Sequence, residues 1–397
     1  MTNRLRSNSA SSMPDKKRLS LEFQDQMRIY NGVLCTRSDS DSVALSWSKK
    51  PVRIVEKVAS PYVLSSFSEE SLSEFLDLSE SGDEEEIALQ SLPILDKQEE
   101  YLCSVERYEA DTIERIDSNV YFLRTRDTCE MIAVKLIRAN HPETAYREFE
   151  LGKLCQCKNT ASYFGVFQVA PQHYILEMQW IRGCDLLALA ATPFKYVKNP
   201  REEVLNLPRW LLQRLVVGIA NGLGFCHFKR VAHRDIKLEN ILVEGDILSE
   251  STETPVKIID FGLARHESEW GNCGIGGSPG YVAPELVRND KKQLMLADIW
   301  SFGVTVFALA TGYMLFSAGE KAYVEQILQL SQADVEVRAR DYFYRNIPTV
   351  ALRCAYDEFL SLIQEMIRVD PNERILPRDV AIAMQSVFKN VPALPLA

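Results

Sequence analysis

Eight consecutive residues constrain this chain more than any other stretch: His233-Arg234-Asp235-Ile236-Lys237-Leu238-Glu239-Asn240. They set a candidate general base, a cation and an amide oxygen suited to a hard metal ion into one short loop. The apolar run Ile241-Leu242-Val243 follows directly, which predicts that the loop feeds a β-strand. Further polar groups stand far away along the chain. Asp260-Phe261-Gly262 comes twenty residues after Asn240, Ala283-Pro284-Glu285 lies beyond it, and Ile132-Ala133-Val134-Lys135 places a lysine on a strand-like run upstream. Any fold that uses these groups together must bring them into one cleft.

Four motifs in this order resemble the eukaryotic-type serine/threonine protein kinase family. A lone His-Arg-Asp is weak evidence, but the ordered set is specific. The resemblance covers 105–390 and implies an α+β, two-lobed protein kinase fold. Its small β-rich N-lobe, about 105–180, has one main helix, and a larger helical C-lobe occupies about 182–390. It implies ATP and Mg²⁺ as cofactors and protein substrates as partners. Phosphoryl transfer suits the residue types, because it needs an oriented acceptor hydroxyl and neutralised phosphate charge rather than covalent chemistry.

Charge is uneven along the chain. The formal net charge is -10, yet 66–100 holds twelve Asp or Glu against Lys97 alone, so the remainder is close to neutral. A general nucleic-acid binder needs a basic stripe, and none is present. Nine cysteines without a Cys-x-x-Cys pair suggest neither a disulfide framework nor a zinc site. Residues 1–20 are polar and basic, unlike a secretory signal. The apolar stretch 300–316 is short for a membrane span and is expected to be a buried helix. No membrane association is expected, and the compartment expected is cytoplasmic or nuclear.

Residues 1–100, rich in Ser and Glu with little periodicity, read as a largely disordered N-terminal region. Within it, Ser20 behind Lys16-Lys17-Arg18 and Ser81 before Asp83-Glu84-Glu85-Glu86 are candidate modification sites. Leu72, Phe75, Leu76 and Leu78 suggest a short docking helix for a regulatory partner. From about 105 the chain reads as strands, including 120–123 and 131–134. A helix is predicted over 145–154, with Tyr146, Phe149 and Leu154 on its apolar side, and further helices over 210–228 and 357–367.

The resemblance implies a role for each motif residue. Lys135 holds the α- and β-phosphates and is held by a glutamate from the following helix. Counting back from Phe164-Gly165-Val166 favours Glu148 for that glutamate, with Glu150 the fallback, because Glu148 places Gly152 where the family has a bulky residue. Asp235 is the base, Lys237 neutralises the γ-phosphate, and Asn240 and Asp260 are metal ligands. Ser278, in Gly277-Ser278-Pro279-Gly280-Tyr281, links base and lysine in the substrate-accepting loop. In Tyr174-Ile175-Leu176-Glu177-Met178-Gln179-Trp180-Ile181, Met178 is the gatekeeper, and the backbones of Gln179 and Ile181 meet adenine. Val120, Ala133 and Leu242 sandwich the base. Asp185 reaches the ribose or a substrate cation, and with Glu239 it points to basic residues before the acceptor. Asp298 braces the catalytic loop, and Glu285 pairs with Arg374 as a buried ion pair.

Two departures weaken the resemblance. Aligned on Val120, the three glycine places of the phosphate loop hold Ile113, Arg115 and Ser118. Side chains there restrict backbone approach, and Glu114 and Asp117 add repulsion, so weaker ATP binding is expected, with Arg115 as the compensating charge. Ile113 remains a candidate nucleotide contact on this alignment. In the activation segment, Arg234 and Arg265 resemble a phosphate pocket, yet the acceptor place falls near Cys273-Gly274. Ser268 carries the one hydroxyl between Gly262 and Ser278. Glu267, Glu269 or the acidic tail is expected to replace the phosphate. The alternative to an active enzyme is a pseudokinase scaffold. Lys135, Asp235, Asn240 and Asp260 are all present, which favours activity.

Overall fold

The structure is a computed structural model. It describes Gln98 and residues 102–103, 105–139, 141–191, 205–245, 256–274, 276–290, 292–316, 320–347 and 350–388. The chain divides into the units Met1–Leu64 and Ser65–Ala397, and every described residue lies in the second. The expectations placed on residues 1–97, and most of the 245–254 stretch, fall outside the described residues.

Strands rich in apolar residues build the first layer. Strands β1 (Glu114–Arg115), β2 (Val120–Arg124), β3 (Met131–Arg138), β4 (Tyr163–Ala170) and β5 (His173–Gln179) form an antiparallel sheet in the order β1-β2-β3-β5-β4. Side chains alternate across a strand, so β2 and β3 each serve two faces. Tyr121, Leu123, Ile132 and Val134 pack on one face with Ile175, Leu102 and Tyr108. Ala133, Leu176 and Met178 join a second cluster facing the cleft. The register sets Val120 opposite Lys135 and Ala133 opposite Met178.

Helix α1 (Pro142–Leu154) crosses this sheet and begins at a proline, whose fixed φ suits the first turn. Its buried residues are Ala145, Glu148, Leu151 and Gly152. Tyr146 and Leu154 are exposed, which corrects the apolar side expected for this helix. The packed face is organised around a charged residue, Glu148, and hydrophobic periodicity does not register that.

The C-terminal layer follows. After β6 (Gly183–Asp185) and α2 (Leu186–Ala191) come α3 (Arg209–Phe228), β7 (Val231–Ala232), β8 (Ile241–Glu244), β9 (Val256–Ile258) and β10 (Arg265–His266). They are followed by α4 (Pro284–Val287), α5 (Leu294–Thr311), α6 (Glu320–Leu328), α7 (Gln332–Phe343), α8 (Val350–Met366) and α9 (Pro377–Ala383). The order β6-β8-β9 and the pair β10-β7 bracket the loop that carries Asp235. Helices α3 and α5 are long and apolar enough to span a membrane, but α5 is 89% buried inside the protein. The stretch expected as a core helix is one. It ends at Gly312, whose φ of 73° closes the last turn in the left-handed region.

Candidate active site

The site lies between the β5-bearing layer and the helices. Lys135, on β3, reaches from the sheet face that lines the cleft. Its Nζ donates to Glu148 Oε1 at 2.9 Å and to Asp260 Oδ1 at 2.9 Å. Glu148, not Glu150, is thus the acid that the geometry selects. Burial alone would push the Lys135 ammonium down, but the carboxylates of Glu148 and Asp260 outweigh it and hold it above the ordinary lysine range. Asp260 is opposed by burial too, yet Lys135 lowers it to about 2. Both groups are charged at neutral pH.

The family position expected to be bulky is Gly152, and the bulk comes from elsewhere. A Cβ on Gly152 would sit 2.5 Å from the ring of Tyr163. Tyr163 stacks edge-on against Phe261 with ring centroids 5.9 Å apart, and Phe261 meets His233 at 4.9 Å. The column continues downward, because Asp298 accepts from the backbone N–H of His233 and of Arg234 at 2.8 and 2.7 Å. It also meets His227 Nε2 at 2.9 Å. Asp298 therefore braces the loop as expected. His227 and Tyr163 escaped the sequence analysis, although an aromatic facing a glycine in a helix's last turn is a readable size pair.

Around Asp235 the expected residues converge. Ser278 Oγ donates to Asp235 Oδ1 at 2.8 Å and accepts from Lys237 Nζ at 2.7 Å. Lys237 Nζ stands 3.0 Å from Asp235 Oδ2. Asn240 Nδ2 donates to the same oxygen at 2.8 Å and to the Asp235 carbonyl at 2.9 Å. Burial would lower Lys237, but Asp235 raises it, with smaller contributions from Glu239 and Asp260. The loops that carry Asp235 and Asp260 therefore share one electrostatic field. Arg234 and Asp260 hold positive φ of 71° and 64°, a conformation that non-glycine residues keep only where surroundings enforce it.

This arrangement fits Mg²⁺ and a polyphosphate. Asp260 Oδ1 is engaged by Lys135 and by Gly262 N–H, and the Asn240 amide N by Asp235. The second carboxylate oxygen of Asp260 and the amide oxygen of Asn240 remain for a hard cation, which prefers such donors and retains waters. Ala133, Met178 and Ile181 are buried in one cluster, with Leu242 and Trp180 packed against it, so an apolar slot lies beside the charged groups. Gln179 follows Met178 at the end of β5. Asp185 Oδ1 accepts from Ala188 N–H at 2.6 Å, and the Leu187 N–H also steadies this carboxylate. Glu239 is raised by burial, and its Oε2 is buried without a hydrogen-bond partner.

Two expectations are corrected. Ile113 packs with Val105, Leu136 and Val169 against the outer-face cluster, so it is a wall residue of the sheet and not a nucleotide contact. Arg115 does not offer its charge to the cleft, because its guanidinium donates to the Asp117 and Ser118 carbonyls at 2.8 Å each. The sequence analysis also missed how the strand layer is tied to the residues preceding it. Tyr108 and Arg107 donate to Glu177 Oε1 at 2.8 and 3.0 Å, with Glu177 1% exposed. Glu285 and Arg374 form the expected bidentate pair at 2.6 and 2.7 Å.

Comparison with known proteins agrees with this geometry. A family model described as protein kinase domain matches residues 117–386, well over half of the chain. The chain belongs to the protein kinase family. Among curated proteins, serine/threonine-protein kinase SAPK4 of Oryza sativa subsp. japonica is 29% identical over 215 residues, covering 52% of this chain and 54% of that one. CBL-interacting protein kinase 12 of the same organism is 28% identical over 273 residues, covering 65% and 43%. Serine/threonine-protein kinase SRK2E of Arabidopsis thaliana is 26% identical over 279 residues, 68% of each. The chain spans about half the length of the first two relatives. A crystal structure of the Rad53 kinase domain and SCD2 has a TM-score of 0.50 at 22% identity, covering 70% of this chain and 88% of that one, a likeness of fold.

Proposed function

We propose that this chain is an active serine/threonine protein kinase that transfers the γ-phosphoryl group of ATP to hydroxyls of protein substrates. The observation that carries the reading is the pairing of Lys135 with both Glu148 and Asp260 at 2.9 Å, beside an assembled Asp235-Lys237-Ser278 cluster. A scaffold that had abandoned chemistry has no need of these charges, which are costly to bury unpaired.

Each residue then has a task. Lys135 grips the phosphates, and Glu148 keeps its ammonium from swinging away. Asp235, fixed by Lys237 and Asn240, aligns the acceptor hydroxyl and takes its proton late, since a loose transition state asks little of a base. Lys237 neutralises charge growing on the transferred group. Asn240 and Asp260 would hold Mg²⁺, which when bound supplies charge neutralisation to the phosphate oxygens. Ala133, Leu242 and Val120 enclose the adenine faces, with the backbones of Gln179 and Ile181 at its edge and Met178 behind.

Substrates with basic residues before the acceptor fit best. Glu239 carries a buried carboxylate oxygen with no partner, and Asp185 lies within its electrostatic reach. Burial raises both carboxyls, so a guanidinium from the substrate relieves an existing penalty.

Radiolabel transfer to a basic peptide library, wild type against Asp235→Asn, tests the reading. A loss of about 10²–10⁴-fold in transfer is expected for the variant. Equal incorporation by the two proteins would favour a scaffold.

A further inference from the structure

The turn between β1 and β2 leads straight into Val120, which pairs with Lys135 across β2 and β3, and Asp117 contributes to the field felt by Asp185. A loop that holds phosphates with its main chain must leave successive N–H groups unpaired and pointing at the ligand. This turn does the opposite. Ile116 N–H and Asp117 N–H both donate to Val120 O, at 2.8 and 3.1 Å. Ser118 N–H donates to Asp117 Oδ1 at 2.6 Å. Three consecutive amides at the tip are therefore satisfied internally.

The carbonyls are satisfied as well, and by one side chain. Arg115 Nε donates to Asp117 O and Arg115 Nη2 to Ser118 O, both at 2.8 Å. A planar guanidinium can hold two acceptors in a fixed fork, whereas an ammonium is a point donor on a flexible stem. Without this fork, the Asp117 and Ser118 carbonyl dipoles would be free to turn toward a polyanion.

We propose that Arg115 is a positioning residue for the nucleotide: it clamps the 116–118 turn into a pre-closed roof that keeps carbonyl oxygens away from the phosphates. The triphosphate is then gripped from below, by Lys135 and by the Mg²⁺ that Asn240 and Asp260 would hold, and not by the roof's amides. The inference deepens the kinase reading and rests on it.

The test uses the full chain carrying Asp235→Asn, so that nucleotide binding is read without turnover. Mg-ATP displaces a fluorescent ATP analogue from this protein and from its R115A and R115K derivatives. KM and kcat are measured in parallel with Asp235 intact. Both substitutions are expected to weaken nucleotide binding and raise KM about tenfold, as loss of charged hydrogen bonds should. kcat should stay within about twofold, because Arg115 touches no reacting atom. If R115K binds like the parent, a point charge suffices and the clamp is wrong. Unchanged affinity in R115A overturns it equally. A parent protein that binds no nucleotide would overturn the kinase reading along with the clamp, whereas the first two results strike the clamp alone.

Discussion

Gly152 and Tyr163 form a size-matched pair whose exchange tests how α1 is held. Glycine inside a helix is less favourable than alanine by up to about 1 kcal/mol, so its presence in the last turn of α1, one turn after Glu148, asks for a reason. The reason is the Tyr163 ring, 2.5 Å from where a Cβ would stand and fully buried. Gly152→Leu drives a side chain into a ring that cannot retreat, since Phe261 stands behind it. Overpacking of this kind costs about 1–3 kcal/mol, and the displaced helix carries Glu148 away from Lys135. Tyr163→Leu removes most of the ring and leaves a void, costing about 2 kcal/mol. The double variant restores the packed volume, and volume-conserving exchanges cost less than about 1.5 kcal/mol. A favourable coupling of about 2–3 kcal/mol should therefore appear in the double-mutant cycle.

Thermal unfolding of the four proteins reads this coupling, at about 2–4 °C for each kcal/mol in a domain of this size. Phosphotransfer rates give a second readout: each single variant should lose activity and the pair should recover much of it. Additive losses, agreeing within about 0.5 kcal/mol, would mean that the two positions do not share one space.

Other perturbations follow from the charges. Asp260 titrates at about 2 against an ordinary 3.8, so its contribution to stability is full above that ordinary value and fades as the pH falls toward 2. Lys135, raised above the lysine range, leaves the neutral and mildly basic region flat. In denaturant unfolding, the stability gap between wild type and Asp260→Asn should shrink on moving from pH 5 to pH 3, and a constant gap would refute the pairing. In the activation segment, Ser268 Oγ meets His266 at 2.9 Å, whereas Glu269 lies 3.8 Å from Arg147. Ser268→Ala should keep most phosphotransfer activity and Glu269→Gln should lose several-fold. The reverse ranking would show that a modified Ser268 is the switch.

Much of this site could be read from sequence because loop motifs carry their chemistry in fixed spacing. Asp235, Lys237, Asn240, Asp260 and Ser278 meet as expected, and counting residues sufficed to prefer Glu148. What sequence hid was mostly buried charge and self-contact. A search for apolar periodicity put Tyr146 and Leu154 inside α1, whereas the packed face is centred on Glu148. Glu177 is buried in β5 because Arg107 and Tyr108, some seventy positions away, satisfy it. Alignment to a glycine pattern likewise made Ile113 a nucleotide contact, when its apolar side chain is better used against the outer cluster. None of these partners is local, so no window of sequence could display them.

The lack of a hydroxyl at the usual acceptor place, near Cys273-Gly274, now has a physical counterpart. Burial and the nearby charges of Arg147 and Arg234 push Arg265 down to about 10, the mark of cations crowded together. A phosphate would relieve that crowding, but this chain uses its own groups. Arg234 donates to Leu263 O at 3.1 Å and to Gly274 O at 2.5 Å, and Glu269 faces Arg147. Glu267, the other acid expected to serve, is taken by Arg230 at 2.7 Å. Gly276 allows the close approach, because a Cβ there would stand 2.6 Å from Arg234 Nη2. Carbonyl dipoles thus hold the segment against the loop that carries Asp235, and one carboxylate faces α1. Gly276 is what lets the arginine fit. The column from Tyr163 through Phe261 and His233 to Asp298 is assembled in the same state.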